Sequence, residues 1–170
     1  MPINLFSLCS VLFCWFFLFQ ANAQTPAEQP IDSTKDVRLL LKELEYNYQM
    51  TETDDYKLIF NIDKERSQVI TVNANTVTYA DREVRELWSL VYVGKERPSY
   101  ELSMNLLQDN SRKKFGAWEV GFDEEDATYY VAFSVKISGT ADISVLNAAI
   151  QMVIEAADEM EAKISDTDDF

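Results

Sequence analysis

The 170-residue chain contains no histidine. Imidazole acid–base catalysis and histidine metal sites are therefore excluded. Its two cysteines, Cys9 and Cys14, lie close to the N-terminus, so the rest of the chain offers no thiol nucleophile, thiolate metal site or disulfide. Glycine is scarce, at four residues, and neither a Gly-rich phosphate loop nor a G-x-S-x-G elbow occurs. Positive charge is also short, with 15 Lys+Arg against 29 Asp+Glu and a formal net charge of -14. Nucleic acid is not an expected partner for a chain of this charge, because phosphate contacts dominate such binding.

What is present begins with an apolar run, Leu5 to Phe19, interrupted only by Ser7 and Ser10. A confident membrane helix needs about 20 apolar residues, and this run is shorter. It leads into Ala21-Asn22-Ala23, the small-x-small pattern of a signal-peptidase site. Residues 1–23 read as a cleaved secretory signal, although Met1 to Asn4 carry no Lys or Arg; an uncleaved anchor is the alternative. The reading implies export to a periplasm or the extracellular space, with no membrane contact after cleavage. Residues 24–32, with Pro26 and Pro30, read as a flexible arm, and 165–170 as an acidic tail. Residues 33–164 are long enough to bury a core without disulfides.

Within that stretch, Ser33 is expected to cap a helix whose apolar stripe is Val37, Leu40, Leu41, Leu44 and Tyr48. Tyr56, Leu58, Phe60 and Ile62 alternate with polar residues, and Val69 to Val72 are β-branched, which predicts a hairpin. Asn73 to Asp81 is turn-prone. Val84 to Val93 is apolar on both sides, which predicts a strand covered on both faces or a helix at its start. Pro98 precedes a helix carrying Tyr100, Met104 and Leu107, with Leu106 flanking. Trp118 to Phe122 and Tyr129 to Ile137 alternate about an acidic turn, Asp123 to Asp126, as a long antiparallel hairpin. Asp142 then caps a helix with a stripe of Ile143, Leu146, Ile150, Val153, Ala157, Met160 and Ile164. The fold class is α+β, a single domain with helices packed on an antiparallel sheet, in the order α-β-β-β-α-β-β-α.

That order, carried by Leu40–Tyr48 with Tyr56–Ile62, then Val84–Val93, then Trp118–Phe122 running into Tyr129–Ile137 and the final helix, resembles the YbjN-like family. That family shares its fold with type III secretion chaperones. The resemblance implies a non-enzymatic protein that binds other polypeptides, often as a dimer, and supplies no catalytic residues. An export signal departs from the cytoplasmic setting of secretion chaperones.

Two chemical alternatives stand beside this reading. The Asp123–Asp126 turn and the tail carboxylates Asp166, Asp168 and Asp169 could attract calcium, but the turn lacks the glycine of an EF-hand loop and reads as solvated, with no metal. Glu119 and Asp123 share one strand face as a candidate hydrolase pair, yet four residues of strand separate them by about 13 Å, too far for a retaining pair. Trp88, Tyr92 and Trp118 are candidate partner-binding aromatics, with core packing the plainer reading. Tyr100, Met104 and Leu107 form a second candidate surface. The expected function is an exported, non-enzymatic domain that needs no cofactor and binds a polypeptide partner or itself as a homodimer. The alternative is a carrier of small apolar ligands in a pocket between sheet and long helix.

Overall fold

The computed structural model describes residues 36–63 and 66–164. The signal, the arm, the Ser33 cap, the acidic tail and part of the Asp63–Arg66 turn lie outside the described residues. The first helix, α1 (Val37–Glu43), is capped by Asp36, whose carboxylate accepts the Arg38 N–H at 3.0 Å. It ends earlier than its apolar stripe suggests. Glu45 takes a left-handed conformation (φ 58), with Glu45 N–H bonding Lys42 O and Tyr46 N–H bonding Leu41 O. These two bonds make a Schellman stop. Tyr48 therefore lies in a short strand, β1 (Tyr48–Met50), its ring packed edge-on against Tyr56.

Strands β2 (Tyr56–Asn61) and β3 (Ser67–Val72) form the expected hairpin, with Leu58 opposite Ile70 and Ile59 on the wet side. A small hairpin follows from β4 (Val77–Tyr79) into β5 (Arg82–Gly94). Its two-residue loop, Ala80-Asp81, has both φ positive, the pattern of a type I′ turn. Helix α2 (Tyr100–Asn110) starts on Ser99, whose hydroxyl accepts the Leu102 N–H. The buried side chain of α2 is Leu106, at 2 % exposure, while Tyr100 and Leu107 point outward. The line through Leu102 and Leu106 meets the core, and the line through Tyr100 and Leu107 does not cover the sheet.

Gly116 (φ 84) turns the chain into β6 (Ala117–Asp123). A Cβ there would sit 2.7 Å from both the Phe133 ring and the Ser134 carbonyl. β7 (Thr128–Ser138) and α3 (Ile143–Ile164) complete the chain, with Asp142 accepting the Ser144 and Val145 amides as expected.

The sheet runs β1-β2-β3-β5-β7-β6, antiparallel throughout, with β4 hanging on β5. The class is α+β, and the two short strands β1 and β4 add to the expected order. One face carries Leu58, Ile70, Val72, Leu87, Phe133 and Val135, all at 0–1 % exposure, and α3 packs on it across β3, β5 and β7. The predicted double cover of β5 is not found. Arg85, Leu87, Ser89 and Val91 are buried against the helices, while Glu86, Trp88 and Leu90 are only half-buried on the face without helices. A bulge between Leu90 and Tyr92 resets the register, so that Tyr92 stands opposite Val131 and Val93 opposite Tyr130. Among the described residues, no helix is long and apolar enough to cross a membrane.

Candidate functional site

The open face of β5, β7 and β6 holds a cavity of about 460 Å³. Its position follows from strand alternation. Even-numbered residues of β5 stand opposite even-numbered residues of β7 up to the bulge, and these face away from α3. Trp88, Leu90, Val93, Tyr130 and Ala132 line the groove with apolar and aromatic surface. Gly121 allows one wall to form, because the Tyr130 ring lies over it so closely that a Cβ would meet Cζ at 2.1 Å. Four carboxylates, of Glu86, Glu119, Asp123 and Asp126, line the same cavity. A second cavity, of about 670 Å³, continues along β5 beneath β4 and shares Glu86; Val77 and Tyr79 border it and are largely exposed.

Lys136 stands between the two. Its Nζ lies 2.9 Å from Glu86 Oε1 and 2.6 Å from Glu119 Oε1, and Ser134 Oγ donates to Glu119 at 2.7 Å. Partial burial by itself would raise the Glu119 pKa. The hydrogen bonds from Lys136 and Ser134, with the lysine charge, outweigh it and hold the carboxyl below its ordinary value of 4.5. Burial likewise pulls Lys136 down, and its two carboxylate partners more than offset that, holding it above 10.5. A carboxyl held ionised is a poor proton donor at neutral pH, so Glu119 does not fit the acid of a hydrolase pair. Asp123 turns its Oδ1 onto the Glu125 and Asp126 amides of its own turn. Among the described residues there is no cluster of three or more metal-ligating side chains.

These shifts give a pH expectation. A depressed carboxyl adds stability above its unfolded value, lost as pH falls through the folded one; a raised lysine adds stability below its unfolded value, lost as pH rises through the folded one. The Lys136–Glu119 pair should thus contribute fully between the two unfolded values, from about pH 5 to about pH 10. Trp88 emission is expected to be flat across that range and to shift only outside it. A transition centred near neutrality would contradict the bridge.

The sequence candidates scatter. Trp88 alone lies in the groove, half-buried, with Nε1 3.3 Å from Asn73 Oδ1. Tyr92 leans on the core, and its hydroxyl donates to the Glu96 carbonyl at 2.8 Å. Trp118 is 6 % exposed, packed on Phe133 at 5.0 Å, with Nε1 donating to Asp109 at 2.8 Å. It is a core residue and offers no accessible surface. Tyr100, Met104 and Leu107 sit on α2 on the other side of the sheet, with Tyr100 and Leu107 exposed and Met104 half-buried. The groove residues Leu90, Val93, Tyr130 and Ala132 were not singled out, because each reads as an ordinary strand residue. Pairing β5 with β7 in register would have shown them on one face.

No family model matches the chain, and no curated protein matches it. The chain is similar in structure to YbjN from E. coli, a protein described with the proposed role of transcription regulator. The likeness covers 75 % of this chain and 86 % of that one, at a TM-score of 0.50 and 9 % identity. The fold is YbjN-like. At this identity the likeness concerns the fold alone and transfers no activity.

Proposed function

We propose that the protein is an exported, non-enzymatic module that binds a polypeptide on the open face of its sheet. One observation carries the reading: the β5–β7–β6 face leaves an aromatic and apolar groove uncovered, rimmed by carboxylates. Apolar surface with a polar rim and a central Trp is the usual anatomy of a binding surface. The YbjN-like fold is consistent with such a role. The alternative, an apolar-ligand carrier, needs a pocket between sheet and long helix. There Leu87, Val135, Ile150 and Val153 are all at 0 % exposure, and the cavities of about 460 and 670 Å³ open on the other face. The test is site-specific photo-crosslinking in cells of origin, with the reactive residue at Val93, exposed at the groove, and, as control, at Leu39 on α1. A polypeptide captured from position 93 and not from 39 is expected. Equal capture from both, or none from 93 with the protein folded and abundant, would count against it.

A further inference from the structure

The outer edge of the sheet specifies how a partner is held. Among the described residues β6 is an edge strand, paired with β7 alone. Asn110, the last residue of α2, shows which peptides of β6 face outward. Its Oδ1 accepts the Trp118 N–H at 2.7 Å, and its Nδ2 donates to the Trp118 carbonyl at 3.2 Å. Trp118 therefore turns its backbone away from β7. In an antiparallel pair this orientation alternates, so Val120 and Phe122 turn theirs outward too. Among the described residues nothing bonds those two outward peptides. Both residues are also about half exposed, at 51 % and 48 %, with the Phe122 ring tilted against Tyr129 at 4.7 Å between centroids. The other face of the same strand carries Glu119 and Asp123, two of the groove carboxylates.

We infer that β6 accepts an added strand from a polypeptide partner whose residues alternate cationic and apolar. This rests on the polypeptide-binding reading and names the partner's chemistry. The cationic residues would lie over Glu119 and Asp123, extending the groove, and the apolar ones beside Val120 and Phe122. A second copy fits poorly. Pairing two β6 strands through Val120 and Phe122 sets Glu119 of each copy opposite Asp123 of the other, and like charges directly opposite are destabilising. The acidic turn at Asp123–Asp126 and the net charge of -14 add to that repulsion.

The test uses the full chain and a labelled short peptide of alternating lysine and valine, with a glutamate–valine peptide as control. Amide exchange at Val120 and Phe122 is expected to slow when the lysine peptide binds. The amides of Glu119 and Gly121, already bonded to β7, are expected not to change. Val120→Pro removes only an outward N–H and is tolerated at a sheet edge. It is expected to weaken binding by about tenfold or more while leaving thermal unfolding close to wild type. If Val120→Pro unfolds the chain, the exchange pattern of the unaltered protein decides. Lysine-peptide binding abolished by Trp88→Ala, with no protection on β6, would place the peptide in the groove and overturn strand addition while leaving the proposed function standing. Equal binding of the glutamate peptide would overturn the charge rule. Protection of Val120 and Phe122 in a dimer without peptide would put a second copy on the edge and overturn the inference. No binding of the lysine peptide would overturn it as well, and crosslinking at Val93 would then judge the proposed function separately.

Discussion

Trp118→Ala is expected to cost about 3–5 kcal/mol of folding stability, measured by urea unfolding, whereas Trp88→Ala is expected to cost under about 2 kcal/mol and to abolish partner capture. Both residues are tryptophans in one sheet, on β5 and β6 with β7 between them, and they differ in which face of the sheet they occupy. Trp118 is 6 % exposed and wedged between Phe133 and the end of α2, where Asp109 takes its indole N–H. Truncation leaves a cavity against Phe133 and removes a hydrogen bond from a carboxylate that is itself largely buried. Lys113 remains 3.4 Å from that carboxylate, so the charge is not stranded. Total stabilities of domains this size are about 5–15 kcal/mol, and no disulfide ties residues 36–164 together. The Trp118 variant should therefore lie near the edge of folding. Trp88 rests on Thr71 and Ser134 with one side open to solvent, so its loss removes contact area without opening the core. Reversed magnitudes, with Trp88→Ala the more damaging to stability, would mean that the open face is covered in the working protein.

The elements most legible in the sequence are those with one fully buried face. Tyr129 to Ile137 alternates because β7 is central and α3 covers one side of it; the α3 stripe is legible for the same reason. The errors have physical causes. Leu44 and Tyr48 continue a helical spacing, but the left-handed Glu45 stops the helix without the glycine that usually marks such a stop. β4 shows no alternation because Val77, Thr78 and Tyr79 are all exposed. α2 has apolar residues on two sides, and only the contact with the β6 end of the sheet decides that Leu106 goes in and Leu107 goes out. The groove was less legible than the fold. Its residues come from three strands and meet only through the β5–β7–β6 register, including a bulge that no local residue pattern announces.

Gln68→Leu is expected to destabilise the protein by about 2–4 kcal/mol despite replacing a polar core residue with an apolar one. Gln68, Ser89 and Glu161 are all within 2 % exposure, on β3, β5 and α3. The Gln68 amide donates to Glu161 Oε2 and accepts the Ser89 hydroxyl at 3.3 Å. Leucine removes one hydrogen bond from the buried Glu161 carboxyl and one from the buried Ser89 hydroxyl, and losing both outweighs the gain in apolar area. Removing both ends behaves differently. The double variant Gln68→Leu with Glu161→Leu is expected to recover most of the lost stability, giving a coupling of about 1–3 kcal/mol in a denaturant double-mutant cycle. Additive costs would show that Gln68 acts only by its shape. The network lies directly behind the proposed binding face, because Ser89 and Trp88 are consecutive on β5 and point to opposite sides of the sheet. Loosening it in the single variant should therefore also shift Trp88 emission, whereas a change confined to the helical layer would leave that signal alone.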